Sequence, residues 1–326
     1  MKKTMTRIPA ALVTLVMTAG LTSCALRVKA PASKATAAEP GATLWERPTD
    51  LSSRDLFYGP WGRDDAPAPN DTYRLVERKH HGVNPGLTVV DSRGREWSVK
   101  QPPPGNFDSE VPTELAVSRI LWAIGYHQPP MYFLPSFALK DAWGTRTEIG
   151  GRFRLKDERL KSGDEWSWQD NPFIGTRPYN GLLVALMLFN STDLKNSNNS
   201  IYEYRDRGVV QQRYIARDLG AALGDMNPFA PRKGNPEAFE RQPYILGVNN
   251  GFVEFAYKGL YGKLVRDRIT PDDVAWTSNL LAQLTEKQWQ DAFRAGGFEP
   301  AAADRFIRKL REKVQQGREL RGRAGM

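Results

Sequence analysis

The chain has 326 residues, 40% hydrophobic and 25% charged, which excludes a disordered tail or a fibre and allows one large or two ordinary domains. Lys and Arg number 46 against 37 Asp and Glu, a formal charge of +9. The single cysteine excludes an internal disulfide and Cys-rich zinc modules, and three histidines are too few for a His-based metal cluster.

Residues 1–23 read as a signal peptide. Lys2, Lys3 and Arg7 form a positive start, and the apolar stretch 8–21 that follows is short for a membrane span. It ends in Leu21-Thr22-Ser23-Cys24, which resembles the bacterial lipobox. That resemblance implies acylation of Cys24, which becomes the first mature residue and ties the protein to a lipid membrane. A buried free thiol in an N-terminal helix is the alternative. By resemblance to Gram-negative lipoproteins, Ala25 after the cysteine implies an outer-membrane position, facing the periplasm or the cell surface. Processing removes three cations and no acid, so the charge falls from +9 to +6. Residues 24–48 are expected as the lipidated cysteine and a flexible tether, because 25–43 is rich in Ala, Pro, Lys and Thr without an apolar period.

Alternation predicts strands at 73–78, 87–90 and 97–100, with turn formers between them. A helix is expected from about Pro112 through Ile124, then strands at 131–139 and 151–155. The wholly apolar run 181–189 predicts a buried helix leading into Asn190-Ser191-Thr192-Asp193-Leu194-Lys195-Asn196-Ser197-Asn198. Short strands are expected at 200–204 and 213–216, and mostly helix after them. Thr270-Pro271-Asp272-Asp273 and Thr285-Glu286-Lys287-Gln288 read as helix starts. A last helix over about 301–320 carries many cations. Its apolar residues Phe306, Ile307, Leu310 and Val314 suit either docking on the core or an anionic membrane surface.

Three strands ending in a lysine, a helical glutamate, a buried helix, D-x-K-x-x-N, a hairpin and then D-x-G follow the order of the protein-kinase-like fold. Asp193 to Asn198 resembles the catalytic loop of Ser/Thr kinases and the loop of phosphatidylinositol kinases. Asp218-Leu219-Gly220 resembles the metal-binding D-F-G. The resemblance spans roughly residues 70–225. It implies an α+β, two-lobed fold. An N-lobe over 49–158 has an antiparallel sheet plus one helix, and a mostly helical C-lobe covers 159–326. It also implies ATP or another nucleotide with Mg²⁺ or Mn²⁺.

In that scheme Lys100 holds phosphates and Glu114, with Glu110 as a rival, orients it. Asp193 accepts the proton of the substrate, and Lys195 neutralises the transferring group. Asn198 and Asp218 hold metal, and Gly82 and Gly86 lie in the turn that covers the phosphates. No His-Arg precedes Asp193, the cover loop lacks G-x-G-x-x-G, and Asn235-Pro236-Glu237 only echoes A-P-E. These departures resemble atypical branches: HipA-like, spore-coat and secretory-pathway kinases. The run from Thr113 to Tyr126 is similar to a helix in a group of uncharacterised bacterial lipoproteins.

Each residue also has a plainer role: a strand-end lysine, a first-turn glutamate, a polar turn after a helix, a helix cap. Two functions follow. One is an atypical phosphotransferase acting on an unknown protein or small-molecule acceptor. The other is an inactive kinase-like binding or scaffold protein of the cell envelope, favoured by the scarcity of ATP outside the cytoplasm. Hydrolase motifs G-x-S-x-G, H-E-x-x-H and S-x-x-K are missing from the sequence. No nucleic-acid recognition motif is present.

Overall fold

A computed structural model describes residues 40–79, 85–103, 110–225 and 232–323. The signal segment, Cys24 and Gly82 lie outside the described residues. The expected tether ends early: strand β1 (Ala42–Thr43) pairs in parallel with Gln212 and Arg213, and Leu44 is buried beside it. Trp45 Nε1 donates to the Ile124 carbonyl at 2.7 Å. An edge strand with open hydrogen-bonding groups and a pocket for Leu44 overrides the tether-like composition.

Strands β2 (Thr72–Lys79), β3 (Gly86–Val90), β4 (Glu96–Lys100), β5 (Met131–Asp141) and β6 (Gly144–Lys156) form a closed barrel in the order β2-β3-β4-β6-β5. An antiparallel sheet was expected; Thr72–Arg74 instead pairs in parallel with Ala138–Lys140 and closes it. The β5–β6 hairpin is long, and its twist carries the end of β5 round to β2. Alternate residues fill the interior: Tyr73, Val89, Trp97, Val99, Phe137, Leu139 and Phe153 are buried. The Phe153 ring lies 5.0 Å from Tyr73 and 5.1 Å from Phe137.

Helix α1 (Glu110–Ala123) falls between β4 and β5 in sequence, yet it buries Ala116, Val117, Ile120 and Leu121 in a second core. That core contains α2 (Arg177–Leu188), whose residues 181–188 are all buried. Thr176 caps α2 by accepting from Tyr179 N at 3.3 Å. Strands β7 (Leu160–Ser162), β8 (Asn199–Asp206) and β9 (Val209–Ala216) make a sheet ordered β1-β9-β8-β7.

The last part holds α3 (Pro236–Glu240), the hairpin β10 (Ile245–Asn249) and β11 (Phe252–Phe255), and helices α4 (Pro271–Leu281), α5 (Glu286–Ala295) and α6 (Pro300–Arg323). The hairpin departs from the expectation of mostly helix. Capping boxes form at Thr270/Asp273 and Thr285/Gln288. Phe306, Ile307, Leu310 and Val314 are buried in the second core, so the apolar face of α6 docks the helix. Among the described residues no helix is long and apolar enough to cross a membrane.

Candidate functional site

Lys100 is the last residue of β4, and the pleat turns it to the outer face of the barrel. In register beside it, Gly86 of β3 lies between Lys79 and Lys100, and Arg152 of β6 lies on the other side. Because Phe153 and Leu155 fill the barrel, Arg152 and Arg154 face outward with Lys100 and Ser98.

Glu110 and Glu114 are four residues apart in the first turns of α1 and share one face. The Lys100 ammonium sits 3.0 Å from Glu110 and 3.4 Å from Glu114. Arg152 reaches the other oxygen of Glu114 at 2.6 Å, and Lys233 lies 3.3 Å from Glu110. Burial alone would lower the Lys100 ammonium, but the Glu114 and Glu110 carboxylates outweigh it and hold the pKa above its ordinary value. Burial would raise Glu114; Arg152 and Lys100 win and hold it low. Glu110 is likewise held low by Lys100 and Lys233 against its burial.

After α2 the chain turns through Asn190, at φ +54°, and Ser191 N donates back to the Leu186 carbonyl at 2.9 Å. Lys313 of α6, fully buried, donates 2.9 Å bonds to the Leu188 carbonyl and to Asn190 Oδ1, and its Nζ lies 4.1 Å from the centre of the Phe239 ring. It thus satisfies the carbonyl end of α2 and fixes the turn that leads to Asp193. Thr192 N donates to the Ala221 carbonyl, and Leu223 N to the Phe189 carbonyl, both at 2.8 Å. The Asp193 loop and the Asp218 loop are therefore tied backbone to backbone.

Lys195 lies 3.1 Å from Asp193, whose side-chain bond is the main reason the ammonium titrates above its ordinary value. Asn198 Nδ2 donates to the Asp193 carbonyl at 2.8 Å, which leaves Asn198 Oδ1 as a donor atom for a cation. Asp218 is exposed, makes no hydrogen bond or ion pair with a described residue, and has φ +51°. A left-handed backbone at a residue other than glycine is uncommon, and here it aims a carboxylate. Gly220 explains its own identity: a Cβ there would fall 2.5 Å from the Glu110 carbonyl oxygen.

Lys100, Glu110, Asp193, Lys195, Asn198, Asp218 and Gly86 all line one cavity of about 550 Å³, with Glu114 behind Lys100. Gly82 lies outside the described residues. Glu110, the rival to Glu114, is the nearer carboxylate to Lys100. The same cavity is lined by Lys79, Arg152, Arg154, Arg217 and Lys233, which the sequence reading did not single out. The alternation Arg152-Phe153-Arg154-Leu155 and the Arg217 preceding Asp218 were the available signs.

Asp218 and the Asn198 amide oxygen are hard oxygen donors of the kind Mg²⁺ or Mn²⁺ accepts alongside phosphate, so the residues present fit such an ion. Among the described residues there is no group of three or more His, Cys, Asp or Glu able to hold a metal unaided. His127 lies elsewhere, buried, its pKa depressed to about 3 by burial first and by Arg213 and Arg54 nearby. The cavity can bind phosphate oxygens on cations, hold a divalent ion against them and offer a carboxylate to a hydroxyl.

No family model matches the chain, and no curated protein matches it in sequence. Solved kinase structures are similar to it in arrangement. The Helicobacter pylori proinflammatory kinase CtkA aligns over 76% of this chain and 96% of its own, at 11% identity and a TM-score of 0.44. A Golgi casein kinase with Mn/ADP bound aligns over 83% of this chain and 74% of its own, at 10% identity and a TM-score of 0.39.

Proposed function

We propose that this protein is an atypical phosphotransferase of two-lobed kinase-like design, with the barrel and the helical core on either side of the cavity. One observation carries the reading: Lys100 with its two carboxylates, Asp193, Asn198 and Asp218 converge on one cavity from three separate stretches of chain. A strand-end lysine, a polar turn and a loop aspartate with only their plainer roles have no reason to meet.

The donor is a phosphoanhydride. Lys100 binds its phosphate oxygens, oriented by Glu110 and Glu114. Asp193 accepts the proton of the acceptor hydroxyl as that oxygen bonds to the terminal phosphorus. The bridging P–O bond breaks, and its electron pair leaves with the shortened phosphate chain. Lys195, beside Asp193, offsets the negative charge of the transferring group. A divalent ion held by Asp218 and Asn198 would supply charge neutralisation at the phosphates. The lipobox-like Leu21 to Cys24 supports a membrane anchor at Cys24, and with it an acceptor in the cell envelope.

The test is transfer from an Mg²⁺- or Mn²⁺-loaded donor, read as phosphoryl addition to the chain or to added water. Asp193→Asn should lower the rate by about 100-fold or more, the usual worth of a general base. Equal turnover in wild type and Asp193→Asn contradicts the assignment. No turnover with any donor turns the reading to a kinase-like binding protein.

A further inference from the structure

Register places Lys100 opposite Arg152, and Ser98 opposite Arg154, one two-residue step along the strand. Such a step is about 7 Å, so cations repeat along the cavity wall. Lys79 lies over the same step, its Nζ 3.4 Å from Ser98 Oγ. Arg217, which precedes Asp218 in the chain, lines the same cavity. In all, seven cations and three carboxylates line the cavity among the described residues.

The guanidiniums have donors to spare. The Arg154 side chain makes no hydrogen bond or ion pair with a described residue. Arg152 is buried, and among the described residues its Nε has no partner; nor has the buried Nε of Arg217, whose Nη1 donates to the Tyr202 hydroxyl at 3.3 Å. Burial first, then Arg152 and Arg217 as like charges, pull Arg154 below its ordinary pKa. Clustered, partly unsatisfied cations are unfavourable in the free protein and become favourable when an anion arrives.

A nucleobase asks for an apolar or aromatic slot. Among the described residues the lining offers Pro85, Val99 and Ala221 and no aromatic ring. The wall beyond Lys100, at Ser98, is occupied by Lys79 and Arg154 instead.

We propose that the cavity recognises a linear chain of phosphates through Arg152, Arg154 and Arg217 together with Lys100, and does not read a nucleobase. This deepens the phosphotransfer reading by naming the donor class, while its binding part stands without transfer.

Calorimetric titration of the full chain with tripolyphosphate, ATP, GTP and adenosine, with Mg²⁺ present, tests it. Tripolyphosphate should bind at least as tightly as ATP, GTP should match ATP, and adenosine should give no binding. Arg154→Met and Arg217→Met, on different elements, should each weaken tripolyphosphate by about tenfold or more, the worth of a charge-assisted hydrogen bond. The ligand-free Tm of Arg154→Met should not fall, because it removes a like charge from the cluster. ATP binding tenfold or more tighter than tripolyphosphate, no tripolyphosphate binding, or affinities unchanged in both variants overturns the proposal. Arginine-dependent tripolyphosphate binding with transfer unaffected by Asp193→Asn overturns the catalytic assignment and leaves this one standing.

Discussion

Lys100 owes its position to a compromise among buried charges. Two carboxylates from one helical face hold it, and Arg152 shares the deeper one at 2.6 Å. Removing the Glu114 carboxylate leaves Arg152 buried beside another cation. Glu114→Gln should therefore destabilise the fold by about 3 kcal/mol at neutral pH. The sign with pH follows from the direction of the Glu114 shift. Its folded pKa lies below the ordinary value of 4.5, so its stabilisation is complete above that value and is lost as pH falls through the folded pKa. Denaturant melts of wild type and variant should converge in acid; a gap that persists unchanged there contradicts the role given to the carboxylate.

At this scale the sequence was informative where residue order carries chemistry. Lys100, Asp193, Asn198 and Asp218, which the motif order singled out, line one cavity. Arg152 and Arg154 were visible as an alternation. Which face of a strand meets a cavity depends on how the barrel closes, and that lies in long-range pairing. Glu110 and Glu114 share a helical face, so spacing alone left both open as partners of Lys100.

Among the elements, the two loops that carry Asp193 and Asp218 act as one piece. Backbone bonds tie them together, Lys313 fixes the turn after α2, and Gly220 lets the second loop touch the first turn of α1. Gly220→Ala sets a methyl group 2.3 Å from Glu110 Cγ and 2.5 Å from its carbonyl oxygen. We expect a loss of about 1–3 kcal/mol and a weaker metal-dependent ligand response, as the loop shifts away from α1. A Tm and ligand response equal to wild type would show that the close approach is not needed.

Capping boxes at Thr270 and Thr285 and the apolar run of α2 were legible because their causes are local. The β10–β11 hairpin had a local sign too. Asn250 and Gly251 both have positive φ, and an Asn-Gly pair between alternating residues is a turn signature. Ala42–Thr43 gave no sign, since two residues become a strand only because β9 offers an edge.

For the whole molecule, the barrel and the helical core each bury their own apolar residues, while the cavity wall collects charge. Buried cations are tolerable there because Glu114 and Glu110 answer some of them and a phosphate chain would answer the rest. The cations behind the +9 charge are spread along the sequence, and those of the cavity wall meet only in the fold.

The most direct test of the site is a thermal-shift titration of the full chain and of Asp218→Ala, using ATP and tripolyphosphate with and without Mn²⁺. Ligand at about 100 times its Kd stabilises by about 2.7 kcal/mol, a rise of several degrees in Tm. We predict a rise with phosphate alone, a further rise with Mn²⁺ in wild type, and loss of that further rise alone in Asp218→Ala. An Mn²⁺-dependent rise of the same size in both proteins would contradict the placement of a metal at Asp218 and, with it, the assignment of this cavity to phosphoryl transfer.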